Sequence, residues 1–148
     1  MVEKRRVRPR IGDVVRIRAL DGRTADAQYT HKHPSHGALV RVVGPGPHEP
    51  TPLGDEHATA LAMRPTQFVT FFPLGAACAR GIAEIIGGAP VPVDSQPFPM
   101  FRIPGRRPWW LWNGEEELRL EEMPEGLPRL PIREIINDTL LVERAHDG

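Results

Sequence analysis

Trp109-Trp110-Leu111-Trp112-Asn113-Gly114, continued by Glu115-Glu116-Glu117-Leu118-Arg119-Leu120, holds all three tryptophans of the chain within four positions. Aromatic side chains carry the largest burial and binding free energies per residue, so this stretch marks either core or contact surface. Asn-Gly is the strongest short-range signal for a two-residue hairpin, because both central residues must take positive φ. The spacing predicts a strand over 109–112 and its antiparallel return over 115–120. Counting back from the turn, Trp112 faces Glu115, Leu111 faces Glu116, Trp110 faces Glu117 and Trp109 faces Leu118. Directly opposed residues share a sheet face. One face then carries Trp109, Leu111, Leu118 and Leu120, interrupted by Glu116, and is expected to feed a core. The other sets Trp110 and Trp112 against Glu115 and Glu117, a composition that suits an interface. The competing expectation is that these two tryptophans pack beneath the proline-rich stretch 90–108 or a C-terminal hairpin, since most tryptophans in small domains serve the core.

At 148 residues the chain is long enough for one domain that buries about two-thirds of its unfolded surface. Hydrophobic content of 40% supports a core, while 17 prolines and 14 glycines imply many short elements joined by turns. Arginine supplies nearly all the positive charge, lysine occurring only at Lys4 and Lys32, and the formal net charge is zero. That balance disfavours general nucleic-acid binding. A single cysteine, Cys78, excludes an intramolecular disulfide and fits a reducing compartment. No apolar stretch follows Met1-Val2-Glu3-Lys4-Arg5-Arg6, so no secretory signal is visible, and no run approaches the about 18 apolar residues of a membrane span. The expectation is a cytoplasmic protein without a membrane partner. Charge is uneven along the chain: residues 1–18 hold seven basic side chains against Glu3 and Asp13, and residues 115–125 hold six glutamates against Arg119.

Strands dominate the rest. Val15, Ile17 and Ala19 alternate with Arg16 and Arg18 after Gly12-Asp13, the pattern of a half-buried strand. Asp21-Gly22 turns into a weaker strand over 24–29, a polar loop with three histidines is expected over 30–37, and a strand follows over 38–43. The stretch 44–52 reads as an extended proline-rich loop and 55–63 as a short helix capped by Asp55. Residues 68–72 form an aromatic strand buried on both faces. Residues 75–86 have helical spacing, with Leu74, Cys78, Ile82 and Ile85 on one stripe and Gly87-Gly88 as the stop. Residues 123–131 are irregular, and 132–136 with 139–144 form a last hairpin about Asn137-Asp138. The fold class expected is α+β, mostly antiparallel β: a small SH3-like or partly open barrel of hairpins with one or two short helices. Residues 1–10 would be a basic tail and 11–144 a single domain.

Chemistry-bearing residues are sparse. His31, His33 and His36 lie close together, yet zinc needs three or four fixed ligands and no cysteine or carboxylate pair completes the set, so no metal and no cofactor is expected. Cys78 sits on an apolar stripe, where a free cysteine behaves as a small hydrophobe. Neither Ser35 nor Ser95 stands in a nucleophile elbow. No catalytic residue is assigned.

The order Gly12-Asp13-Val14, Phe71-Phe72-Pro73-Leu74, Trp110-Leu111-Trp112-Asn113-Gly114, Leu130-Pro131-Ile132 and Asn137-Asp138-Thr139-Leu140-Leu141 resembles the immunity protein 26 family of bacterial polymorphic toxin systems. The resemblance runs from about Ile11 to Arg144. It implies a non-enzymatic, cytoplasmic protein whose partner is a cognate toxin domain that it binds and blocks. A toxin that cleaves nucleic acid has a basic site, and an acidic, aromatic patch is its physical complement. That patch would be Trp110, Trp112, Glu115 and Glu117, with Glu121 and Glu122 as rim charges. The alternative is a small-barrel nucleic-acid binder using Arg5, Arg6, Arg8, Arg10, Arg16 and Arg18. A hydrolase working through histidine and glutamate stands third, with no spacing to support it.

Overall fold

The computed structural model describes residues 8–47, 52–105, 109–122 and 130–148. Lys4, Arg5, Arg6 and most of the expected irregular stretch 123–131 lie outside them. The described elements are, in chain order, β1 (Asp13–Arg18), β2 (Thr24–His33), β3 (Gly37–Pro45), α1 (Asp55–Ala62), β4 (Phe68–Phe71), α2 (Leu74–Ala79), β5 (Ala83–Gly88), a 3₁₀ turn (Val93–Ser95), β6 (Phe101–Arg102), β7 (Trp109–Trp112), β8 (Glu117–Leu120) and α3 (Asp138–Asp147). The fold is α+β and mostly antiparallel. Among the described residues it has two open sheets, one of five strands in the order β4-β3-β2-β1-β5 and one of three in the order β6-β7-β8.

The expected barrel does not close. β4 leaves one edge of the large sheet, and the chain crosses through α2 to reach β5 at the opposite edge. Closing the sheet would leave no room for α2 and α3, which pack on its first face. Phe68, Val42, Ala27, Val15 and Ile85 form one row across all five strands of that face. The main core there joins Val15, Ile17, Val40, Val42 and Tyr29 to Phe72, Leu74 and Cys78 around α2 and to Ile136, Leu141, Val142 and Ala145 around α3. Burial of Cys78 in this core removes it from solvent.

Two local readings are corrected by capping. The expected helix over 75–86 is two elements, because α2 stops at Ala79 and β5 follows. Gly81 takes φ of +75°, its N–H donates to the Cys78 carbonyl, and the Ile82 N–H donates to the Ala77 carbonyl. That pair of bonds is a Schellman closure, which needs a left-handed residue after the cap. Gly81, rather than Gly87-Gly88, is therefore the stop signal. The expected last hairpin is instead α3. Asn137 does not open a turn; its Oδ1 accepts the Leu140 N–H at 2.9 Å, an N-cap bond. Leu141, Val142 and Ala145 then fall on one helical face, and α3 runs past residue 144 to Asp147. The chain has three helices among its described residues rather than one or two.

The second face of the large sheet is divided. At one end α1 packs Ala58, Leu61 and Ala62 against Val14 and Ile86. At the other the small sheet packs Phe101 and Trp112 against Leu39 and Phe71. Between them Val14, Gln28, Arg41 and Val69 stand side by side on four adjacent strands. Arg41 is 1% exposed. Its Nε donates to Gln28 Oε1 at 2.9 Å, its Nη1 to the Arg64 carbonyl at 3.1 Å and Thr66 Oγ1 at 3.2 Å, and its Nη2 to the Ala62 carbonyl. Gln28 Nε2 in turn donates to the Gly12 and Ala89 carbonyls at 3.1 and 3.0 Å. This polar network fastens the end of α1 and the chain beyond β5 to the middle of the sheet.

The capping assignment makes opposite predictions for two glycines six residues apart. Gly81→Ala forces a side chain into the left-handed region and should lower unfolding stability by about 1–2 kcal/mol. Gly75→Ala, in the first turn of α2 with open space around its Cβ position, should raise it by up to about 1 kcal/mol. Urea denaturation of the two variants checks both signs.

Candidate functional site

The tryptophan hairpin forms, with a wider turn than the Asn-Gly pair predicts. Among the described residues no non-glycine takes positive φ, so Asn113 does not adopt the two-residue turn, while Gly114 has φ of +98°. Asn113 Oδ1 instead accepts the Glu115 and Glu116 N–H groups at 2.9 and 2.7 Å. Residues 113–116 become the loop, and Trp112 pairs with Glu117, Leu111 with Leu118, Trp110 with Arg119 and Trp109 with Leu120. The register moves by two residues. A shift of two leaves every side chain on the face expected for it, because strand faces alternate with period two.

Which face is covered does change. Trp112 is 5% exposed and lies in the aromatic cluster that joins the two sheets. Its ring centroid is 5.6 Å from Phe98 and Phe101, 5.9 Å from Phe71, and 4.8 Å from both His33 and His36. The Arg133 guanidinium carbon sits 5.1 Å above the same ring. Trp112 is thus removed from the partner-facing surface on which the sequence placed it. Phe98 packs so closely on the turn that a Cβ on Gly114 would come within 2.7 Å of its Cε1. Trp110 is half-buried, and Trp109 likewise.

The remaining residues of the expected patch are on the surface. Glu115, Glu117, Glu121 and Glu122 are exposed, with Glu116 between them. Glu117 pairs with Arg133 at 3.0 Å, and Glu121 lies 3.5 Å from Arg119. On the other face of the hairpin Leu111 is buried, but its partner Leu118 is 55% exposed, so the leucine face expected to be core is open at β8. Among the described residues β8 pairs only with β7, which leaves its outer edge as an unpaired strand edge.

The histidines belong to the fold instead of a polar loop. His31 and His33 lie on β2, and the turn to β3 is confined to 34–36. His33 Nδ1 accepts the Ser35 and His36 N–H groups, and its Nε2 donates to the Gly114 carbonyl at 2.7 Å, which clasps the tryptophan turn to the β2–β3 hairpin. His36 packs at a tilt against Phe71 and Trp112, and its buried Nδ1 has no hydrogen-bond partner among the described residues. Burial, then the nearby His33 and Arg133 charges, hold its imidazole below the ordinary value of 6.5. Among the described residues no group of three or more His, Cys, Asp or Glu side chains is placed to hold a metal ion.

The arginines of the nucleic-acid alternative do not act as one set. Arg16 is 90% buried in its side chain and holds Asp26 through Nε and Nη2 at 2.8 and 2.9 Å. Arg10 and Arg18 are exposed, Arg8 is exposed and engaged in a contact, and Arg5 and Arg6 lie outside the described residues. No helix among the described residues is long and apolar enough to cross a membrane. Comparisons with protein-family profiles, curated proteins and solved structures return no match. The sequence reading missed Arg41 and Gln28 altogether. Their only signal is a charged and an amide side chain placed inside otherwise apolar strands.

His36 gives the structure a pH dependence of definite sign. Its folded value is depressed, so the stability its neutral form supports is present above 6.5, the unfolded value, and is lost as pH falls below it. Chemical denaturation between pH 8 and pH 5 should show stability declining through this window, and His36→Gln should flatten the decline. An equal slope in the variant would assign the pH dependence to other groups.

Proposed function

We propose that this chain is a non-enzymatic, cytoplasmic protein-binding module that neutralises a cognate bacterial toxin domain by covering it, as the resemblance to the immunity protein 26 family implies. The observation that carries the reading is the outer side of the β7–β8 hairpin. There β8, unpaired on its outer edge among the described residues and carrying the exposed Leu118, is flanked by exposed glutamates at 115 and 116 before it and at 121 and 122 after it. A strand edge offers backbone hydrogen bonds to a partner strand. The glutamates select a basic partner and speed its approach, and the desolvated Leu118 supplies affinity. Trp112 serves this surface from beneath by fixing the hairpin to the large sheet, while Trp110 remains at its margin.

The test is protection in cells. A toxin-bearing protein encoded beside this gene is expressed with the wild-type chain, and growth is followed. The wild type should restore growth and form a stoichiometric complex. Leu118→Arg, and separately Glu115→Lys with Glu116→Lys, should weaken that complex about tenfold or more while leaving the melting temperature of the free protein near wild type. Undiminished binding by both variants places the interface elsewhere. Lack of protection against every neighbouring toxin domain overturns the immunity reading.

A further inference from the structure

The chain has two asparagines, Asn113 and Asn137, and both are exposed. Their settings differ. Asn137 caps α3, its Oδ1 accepting the single N–H of Leu140, and it is followed by Asp138, the first residue of the helix. Asn113 lies in the loop between β7 and β8, and its Oδ1 accepts two N–H groups, those of Glu115 at 2.9 Å and Glu116 at 2.7 Å. Only the oxygen of an amide accepts, so these two donors fix which way the group is turned. It is followed by Gly114, whose Cα bears no side chain to shield its nitrogen. Among the described residues the Gly114 N–H donates to no acceptor, while its carbonyl is held by His33 Nε2 at 2.7 Å.

A side-chain carbonyl with two donors on its oxygen and an unhindered backbone nitrogen one residue on has the parts of an acyl-transfer site. Attack by the Gly114 nitrogen on Asn113 Cγ, with hydroxide taking the N–H proton, forms an N–Cγ bond and moves the carbonyl π pair onto Oδ1. Donors about 2.7–3.1 Å from such an oxyanion stabilise it, and the Glu115 and Glu116 N–H groups already stand there. The Cγ–Nδ2 bond then breaks, and the nitrogen leaves as ammonia with a proton from water. A cyclic imide remains, which water opens in either of two ways. Breaking the bond from nitrogen to Cγ gives aspartate. Breaking the bond from nitrogen to the main-chain carbonyl carbon gives isoaspartate, whose main chain runs through Cγ and is one carbon longer. Overall one water enters and one ammonia leaves, with no redox change. The reacting atoms belong to adjacent residues, so closure needs orientation but no encounter. The carboxylates of Glu115, Glu116 and Glu117 oppose the oxyanion, yet they are exposed and screened by water and salt, whereas the two N–H groups touch it directly. At Asn137 the same ring would break the cap of α3 and crowd the Asp138 side chain.

We infer that Asn113-Gly114 is a site of self-modification, where the loop converts its own asparagine through the imide to aspartate and isoaspartate and so acts as a slow, one-way switch on the β7–β8 hairpin. The two products act differently. Aspartate keeps the chain length, accepts the same two N–H groups and adds a negative charge beside Glu115. Isoaspartate lengthens the chain where it has no slack, since Gly114 is tied to His33 and a Cβ on it would come within 2.7 Å of Phe98 Cε1. Its formation breaks the His33 clasp. The inference is independent of what β8 binds. The test is peptide mapping by mass spectrometry of the full chain during incubation at pH 8, folded and, in parallel, unfolded in urea. In the folded chain the Asn113 peptide should gain one dalton at least about tenfold faster than the Asn137 peptide, with isoaspartate among its products, and should slow at pH 6, where hydroxide is scarcer. Asn113 should react at least as fast in the folded chain as in the unfolded one, where the two donors are dispersed. The His33 imidazole resonances should move in the purified isoaspartate form and stay near wild type in Asn113→Asp. Equal rates at the two asparagines, aspartate without isoaspartate, a slower reaction in the folded chain than in the unfolded one, or unmoved His33 resonances in the isoaspartate form each overturns the proposal.

Discussion

A guanidinium buried in the middle of a β-sheet, held by carbonyls, an amide and a hydroxyl, is the constraint on which the architecture turns. Taking Arg41 out of water costs several kcal/mol by the usual desolvation penalty of an ion. Its hydrogen bonds to Gln28, Ala62, Arg64 and Thr66 return much of that, at roughly 1.5–3 kcal/mol for each bond to a charged group. The bonds exist only when four separate parts of the chain are in place together: β2, β3, the end of α1 and the turn before β4. The last carbonyls of α1 are left without intrahelical partners, and Arg41 satisfies one of them while complementing the negative end of the helix dipole. Gln28 extends the same network to Gly12 and to Ala89, so the beginning of β1 and the strap after β5 are tied in as well.

The two faces of the large sheet consequently play different parts. The first is an ordinary apolar core under α2 and α3, where buried area provides most of the stabilisation. The second has a helix at one end and the small aromatic sheet at the other, with the polar network between them. Arg41 is covered there by the end of α1 and the turn after it, and a groove of about 910 Å³ lies between that turn and the strap. The small sheet is fixed at a distance from this groove by Trp112, by the His33 bond to Gly114 and by parallel bridges from Ile132 and Ile135 to Arg102 and Phe71. Its outer edge is thereby held out from the body of the protein.

Much of this organisation is legible in the residues, and the parts that are not have definite reasons. β1 is visible from the alternation of Val15 and Ile17 with arginines, and α1 and β4 fall close to where local pattern puts them. The antiparallel α+β class follows from the same signals. The division of 74–88 into α2 and β5 is hidden because Ile82 and Ile85 continue a helical spacing by coincidence, while Gly81 carries the real stop. Asn137-Asp138 serves equally well as a turn or as a helix cap, and only the burial of Leu141, Val142 and Ala145 against distant strands decides it. The hairpin register depended on the Asn113 side chain binding its own loop, which competes with the tight turn the dipeptide favours. For Trp112, facing was assigned correctly but covering was not, since His33, His36, Phe71, Phe98 and Arg133 come from other elements. Arg41 was invisible for the same reason: its acceptors are contributed by residues 13 to 25 positions away.

The central role of the Arg41–Gln28 network is tested most directly by a double-mutant cycle in urea with Arg41→Met, Gln28→Leu and the pair. Each single substitution strands buried polar groups of the other, and each should lower stability by about 2–3 kcal/mol. The double variant should cost less than the sum by about 1 kcal/mol or more, since the coupled partners leave together. Single effects below about 0.5 kcal/mol, or strict additivity within error, would contradict the account and make the buried guanidinium incidental to the fold.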